Sequence, residues 1–295
     1  MSSAWCIEHY RRVLEEVLNV ARECASRSPS VSVHLIALSA EKVSKLALVA
    51  MGNLRCSDLS KEVKDVETYA VKMIRKALRQ LSKEVCSVDA ERIAGTIARS
   101  DEDRRRIERS LRNASSRART AMQKKLADLY QELETRFSRM RERIHSAGGE
   151  ELVKRIETLI NSIGFARDTI EEGFLSMKEV ETIVRVAVEA ISSEIDRASR
   201  NIARTLAIPL PLVRKALLDA SDIEKSARER VEKMSRLLSC YVASTLIMDV
   251  FRGIEETIVF PTRQPASPSL EPSQRLAEGV EEGIYVLKKC LECLG

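Results

Sequence analysis

The sequence is poor in the residues that make turns and stack on bases. Its 295 residues include only 10 Gly and 7 Pro, with one Trp, five Tyr and five Phe. A turn-rich β-fold is therefore excluded, as are collagen-like and low-complexity chains. The N-terminus also lacks the basic segment and the apolar run of an export signal, so we expect a cytoplasmic protein.

Long uncharged apolar runs are missing as well. The stretch Leu237–Met248 is among the longest, and Asp249 interrupts its continuation. A bilayer-spanning helix needs about 20 apolar residues. We therefore expect no membrane span.

What the chain does contain is a helical pattern. Hydrophobic residues make up 44% and charged residues 32%, and the apolar positions recur at the spacing of amphipathic helices. The predicted fold is all-α, with two antiparallel helical bundles and a long central helix. The expected division has four parts: a bundle over 1–147 ending in a long basic helix, a second bundle over 150–260, a Pro-rich linker over 261–273, and a helix over 274–295.

The long helix is predicted to begin at Ser100, whose side chain and the acids that follow it form an N-terminal cap. No Gly or Pro follows until Gly148. Its apolar positions repeat every eleven residues: Ile107, Ala118, Leu129 and Met140, with Leu111, Met122, Leu133 and Ile144. A period near 3.67 disfavours a left-handed coiled coil, so we expect a nearly straight helix with one narrow apolar seam.

Two segments of the chain also resemble each other. Residues 74–85 align with 184–195 at an offset of 110, and residues 93–98 continue onto 202–207 after a one-residue adjustment. This alignment predicts two related helical halves.

The second half carries a family resemblance. Ile195–Pro209 leads into Leu212–Arg228, and this resembles PhoU and its phosphate-transporter accessory relatives, where one helix ends near a proline and the next carries an Asp-Leu-Glu-Arg-type signature. The segment Ser87–Asp103 is similar to a helix-to-helix transition of that family. The resemblance implies repeated three-helix units and a regulatory role linked to phosphate uptake.

The resemblance also implies a metal site, with a Glu/Asp-x-x-x-Asp spacing. This sequence has Glu224 and Arg228 at that spacing, and Glu with Arg forms an ion pair rather than a chelate. The residues left for a reduced metal site are Asp219, Asp222 and Glu224.

The basic segment gives an alternative function. Between Arg104 and Arg143 there are 13 Lys and Arg against 5 Asp and Glu, whereas the rest of the chain is net acidic. Clustered positive charge on a helix is typical of phosphate binding, although a solvated surface helix has the same composition. The candidate phosphate-contacting residues are Arg104, Arg105, Arg106, Arg109, Arg112, Arg117 and Arg119.

Catalytic and metal motifs are scarce. The three histidines are far apart, and the spacings Arg139 to His145 and Arg27 to His34 are similar to the Arg-x4-6-His motif of helical HEPN ribonucleases. Cys290 and Cys293 favour helix packing, with an inter-chain zinc or redox pair as the other interpretation. Among the remaining cysteines, Cys24 and Cys56 are candidates for a disulfide.

The sequence thus predicts a non-enzymatic protein without a cofactor. The leading hypothesis is a PhoU-like regulatory or scaffold protein that contacts protein partners through helix faces, in a homo-oligomer. The alternative is a nucleic-acid-associated protein using the basic 104–143 helix. Arg outnumbers Lys 33 to 16, and acids often precede bases by four residues, which indicates a thermophilic source.

Overall fold

A computed structural model describes residues 3–61, 66–146, 152–217, 220–258 and 274–294. These ranges are helical apart from short connections, and none of them contains a strand. The predicted all-α class is confirmed. The predicted Pro-rich linker at 261–273 and the Gly148-Gly149 pair lie outside these ranges.

The helices follow one another with short connections. The first six are α1 (Ser3–Cys24), α2 (Pro29–Ala50), α3 (Val66–Val85), α4 (Ala90–Ile97), α5 (Asp101–Lys125) and α6 (Ala127–His145), with a 3-10 turn at Cys56–Asp58. The others are α7 (Leu152–Asn161), α8 (Ile163–Glu171), α9 (Met177–Leu206), α10 (Leu210–Ala216), α11 (Ala220–Ile258) and α12 (Gln274–Leu294).

The expected single helix after Ser100 is two helices, α5 and α6, because Leu126 leaves helical geometry at φ −102° and ψ 9°. The departure is local: the Leu126 N–H still bonds the Met122 carbonyl at 3.0 Å, and its own carbonyl accepts from the Tyr130 N–H at 2.9 Å. Six of the eight predicted seam positions are buried, whereas Leu129 and Met140, both beyond the break, are half-buried.

Two further parts of the chain are divided between helices. The segment 210–258 contains two helices, α10 and α11, because Leu217 adopts extended backbone. In the proposed repeat, residues 93–97 belong to α4, a separate helix, whereas residues 202–206 simply continue α9. The reason is a cap: the Asp89 carboxylate accepts from the Arg92 N–H and starts α4.

The chain divides into two compact units. Unit 1 contains residues 1–77, 133–174 and 235–295, and unit 2 contains residues 78–132 and 175–234. Each unit takes segments from both sides of the division expected near residue 148.

Unit 1 has its core around α12 and the second part of α11. Helix α12 packs against α1, α2, α7 and α8. A side chain at Gly283 of α12 would place its Cβ 2.6 Å from the ring of Phe251, so only glycine permits this close approach. Large side chains such as Ile36, Leu46 and Phe137 fill the same core and are fully buried.

Unit 1 also buries charged groups. Arg141 donates from Nε and Nη2 to the two carboxylate oxygens of Asp249, at 2.6 and 3.1 Å. Both side chains are less than 5% exposed. Such a pair is tolerated inside a core because its geometry is bidentate, which is the strong form of this interaction.

Unit 2 is built around α5 and α9. The ion pairs Arg117 to Glu194 and Lys125 to Glu189 show that these helices run antiparallel. Helices α4 and α10 pack beside them. Ile107 and Leu111 of α5 and Ile183 of α9 are fully buried, so both helices face the core on one side and solvent on the other.

One segment has the length and hydropathy of a membrane-crossing helix. It lies within Asp222–Ile258, where the most apolar 18 residues have a mean hydropathy of 1.4 and 89% of that stretch is buried inside the protein, as judged on the described residues. A buried stretch of this kind is typical of a core helix.

Candidate anion-binding site

Four of the seven arginines predicted to contact phosphate lie on one face of α5. They are Arg105, Arg109, Arg112 and Arg119, spaced by four, three and seven residues, which is the spacing of side chains stacked on one helix face. We call this set the arginine stripe. With a rise of about 1.5 Å per residue, the stripe is about 21 Å long.

The arginine stripe keeps most of its charge free of carboxylates. Arg105, Arg109 and Arg119 form no ion pair with another described residue, and Arg112 reaches Glu108 only at 3.4 Å. Arg105, Arg109 and Arg112 are exposed and Arg119 is half-buried.

The other three predicted arginines point elsewhere and are paired. Arg104 binds Glu91 of α4 and Glu108, and Arg106 binds Glu102. Arg117 donates from Nε to Glu194 of α9 at 2.5 Å. The structure therefore separates the predicted set into a stripe of four and three arginines held in ion pairs.

An open cleft of about 720 Å³ lies between α5 and α9 on another side of α5. Four arginines line it: Arg117 from α5, with Arg197, Arg200 and Arg204 from α9. The cleft also contains two carboxylates, those of Glu194 and Asp196. Its formal charge is therefore positive.

Asp196 in this cleft and Glu189 beside it are held ionised by neighbouring cations. The hydrogen bond from Arg200, together with that from Arg214, lowers the pKa of Asp196 below its usual value. The Lys125 ammonium lowers the pKa of Glu189 in the same way. Both carboxylates therefore stay charged at neutral pH and fix the cations around them.

The predicted metal residues are not brought together in the described part of the chain. Asp219 lies outside the described residues, and Asp222 and Glu224 are both exposed. Glu224 binds Arg228 at 3.6 Å, the ion pair that its spacing predicted. Among the described residues, no three His, Cys, Asp or Glu side chains are arranged to hold a metal ion.

The cysteines correct one prediction. The disulfide joins Cys56 to Cys6, not to Cys24, which is a free thiol. The disulfide links α1 to the 3-10 turn. Sequence separation alone could not decide whether Cys6 or Cys24 pairs with Cys56. Cys290 is buried and donates to the Cys240 carbonyl, whereas Cys293 is exposed.

The Cys86 thiol and the three histidines lie apart from one another, each with its own neighbours. Burial raises the pKa of the Cys86 thiol to about 11, so it is protonated at neutral pH. His34 bonds Glu255 at 2.8 Å, and His145 lies 3.9 Å from the buried carboxylate of Asp249. His9 stacks on Trp5.

The arginines of α9 were missed as functional candidates. Their signal is present in the sequence, since Arg197, Arg200 and Arg204 follow the i, i+3, i+7 spacing of one helix face. Charge counting overlooked them because α9 also carries many acids. Only the packing of α9 against α5 brings them beside Arg117.

Comparisons of the chain with protein-family models, curated proteins and solved structures find no match.

Proposed function

We propose that this protein is a non-catalytic helical scaffold that binds nucleic acid through its phosphate backbone, along the arginine stripe of α5. One observation carries the proposal: Arg105, Arg109 and Arg119 share a helix face and have no carboxylate partner among the described residues.

The stripe is unfavourable for the helix itself. Arg105 and Arg109 are four residues apart, and Arg109 and Arg112 are three apart, so like charges stand side by side. Each such pair destabilises a helix by about 0.2 to 0.5 kcal/mol. Elsewhere in this protein many surface arginines form an ion pair with an acid, as in Arg12 with Glu8 and Arg106 with Glu102. A row of phosphates would neutralise the stripe.

The composition of this face favours duplex over single strands. No aromatic side chain occurs anywhere in α5, so the stripe provides no surface on which unpaired bases could stack. Arginines without neighbouring base-reading groups hold the backbone and fix position without reading sequence. We therefore infer sequence-independent binding of double-stranded nucleic acid.

The test compares two variants of equal charge. The stripe variant carries Arg105→Gln, Arg109→Gln and Arg119→Gln. The control carries Arg12→Gln, Arg22→Gln and Arg167→Gln, which removes three arginines of unit 1 that are ion-paired on the surface. Binding to a labelled duplex of random sequence is measured for both, with thermal melting to verify folding.

We expect the stripe variant to lose about tenfold or more in affinity and the control to stay within about twofold of the unchanged protein. Equal losses in the two variants would mean that net charge alone attracts the duplex. That result would overturn the stripe as the binding surface.

A second candidate is the PhoU-like regulator that acts through a protein partner. Two observations favour it. α9 ends at Leu206, just before Pro209, as the resemblance implies. Large apolar side chains are also exposed in the first two helices, at Trp5, Val13 and Val20 of α1 and at Val31 and Leu38 of α2. Exposed apolar groups of this kind are typical of protein contact surfaces. A folded protein that binds no duplex at low salt would leave this candidate in first place.

An intracellular and thermophilic setting remains part of the proposal. The disulfide between Cys6 and Cys56 is compatible with it, because intracellular proteins of hyperthermophiles retain disulfides. The ion pairs that join separate helices, such as Arg22 with Glu281 and Arg228 with Glu181, are of the kind that gains value at high temperature.

A further inference from the structure

The cleft between α5 and α9 differs from the arginine stripe in shape and in chemistry. Ser110 and Arg117, which line it, lie on a different side of α5 from Arg105 and Arg109. Its volume of about 720 Å³ is that of a pocket for a small molecule.

The cations of the cleft are all arginines. Arg117, Arg197, Arg200 and Arg204 face two carboxylates, so the formal charge of the lining is +2. Arginine presents a planar fork of donors that matches the oxygens of a phosphate in pairs, which lysine does not. A lining with this charge complements a dianion.

The carboxylates position the arginines without consuming their donors. Glu194 binds both Arg117 and Arg197, and Asp196 binds both Arg200 and Arg214. Because a guanidinium has five N–H donors and each carboxylate is shared by two of them, donors remain for a ligand.

Further donors lie in the same cleft. Arg204 has only a 3.4 Å contact with the amide oxygen of Asn201 and binds no carboxylate among the described residues. The hydroxyls of Ser110 and Ser193 also line the cleft and make no hydrogen bond to a described residue.

We propose that this cleft binds a small molecule through a phosphate monoester group. The dianionic phosphate lies between Arg200 and Arg204 of α9, and Arg117 lines the same cleft from α5. The open part of the cleft holds the rest of the molecule. This site is separate from the duplex-binding face, and it stands whether or not the arginine stripe binds nucleic acid.

The experiment is isothermal titration of the full chain with ribose 5-phosphate, inorganic phosphate and ribose. Three proteins are compared: the unchanged chain, Arg200→Gln with Arg204→Gln, and Arg105→Gln with Arg109→Gln as the matched control. Thermal melting confirms that each variant folds, and duplex binding is measured in parallel.

We expect the two phosphate-bearing probes to bind and ribose not to bind. The cleft variant should weaken ribose 5-phosphate binding by about tenfold or more, whereas the control should change it by less than about twofold. Duplex binding should be weakened in the control, which lacks Arg105 and Arg109, and retained in the cleft variant. A failure of one site is therefore distinguishable from a failure of the other.

Three outcomes would overturn the proposal. The first is the absence of binding by both phosphate-bearing probes at about 10 mM, a concentration at which even millimolar affinity is visible. The second is ribose binding as tight as that of ribose 5-phosphate. The third is an equal loss in the cleft variant and the control.

Discussion

Glu41, Lys45 and Arg252 form a charged cluster inside unit 1. The Glu41 carboxylate accepts from Lys45 Nζ and from Arg252 Nη2, both at 2.6 Å. The Lys45 side chain is only 4% exposed. Burial alone would raise the pKa of Glu41, but the hydrogen bond from Lys45 and the charges of Lys45 and Arg252 outweigh it, so the pKa is lowered.

The lowered pKa of Glu41 predicts how stability depends on pH. A carboxyl whose pKa is lower in the folded state stabilises the protein above its unfolded pKa, and this contribution is lost as the pH falls through the folded value. Replacing Glu41 by Gln should therefore lower the free energy of unfolding by about 2 kcal/mol at neutral pH, because Lys45 stays buried without its carboxylate. The loss should shrink in acid.

Urea unfolding of the unchanged protein and of Glu41→Gln at about pH 7 and about pH 3 measures the loss of unfolding free energy at each pH. Glu8→Gln is the matched control, since Glu8 pairs with Arg11 and Arg12 at the surface, where ion pairs contribute little. A Glu41→Gln penalty that is the same at both pH values would refute the assignment.

At the scale of helices, the disulfide between Cys6 and Cys56 is the covalent link between α1 and the 3-10 turn that follows α2. The two cysteines are 50 residues apart in sequence and their Cα atoms are 6.3 Å apart. Such a link restricts the unfolded chain, and for a loop of this length it stabilises the fold by about 2 to 4 kcal/mol.

We expect the double variant Cys6→Ser with Cys56→Ser to melt at a lower temperature than the unchanged protein by several degrees. A reducing agent should lower the melting temperature of the unchanged protein and leave that of the variant constant. Cys24→Ser, which removes a free thiol, is the control. An equal effect of the reducing agent on both proteins would show that the bond does not form.

Local sequence signals mark several helix starts. Ser100 caps α5 through its side chain as predicted, Ser176 caps α9 in the same way, and Pro29 begins α2. The break at Leu126 escaped prediction because no Gly or Pro marks it and its hydrogen bonds are those of a helix. Periodicity averaged over a long segment does not register a change at one residue.

Contacts between distant segments were beyond the sequence. Asp249 was seen only as an interruption of an apolar run, whereas the fold pairs it with Arg141, a residue counted as part of a basic surface. The cleft depends likewise on α9 packing beside α5. Residue type and spacing give the face of each helix, but which faces meet is decided by the packing of the whole core.

At the scale of the whole molecule, charge is distributed unevenly. The segment 104–143 is strongly basic while the remainder of the chain is net acidic. At least six of its thirteen cations form ion pairs within the protein, with Glu194, Glu189 and the buried Asp249 among others. What distinguishes the arginine stripe is that three arginines without such a partner among the described residues, Arg105, Arg109 and Arg119, lie on one helix face, not the number of basic residues in the segment.

The salt dependence of duplex binding tests this account most directly. Dissociation constants for a random-sequence duplex are measured between about 50 and 200 mM salt, for the unchanged protein and for Arg105→Gln with Arg109→Gln and Arg119→Gln. Each phosphate neutralised contributes about −0.9 to the log–log slope, so four arginines predict a slope of about −3 to −4, and the variant one of about −1. A slope near zero, or one that the variant leaves unchanged, would contradict the assignment of the arginine stripe as a phosphate-binding surface.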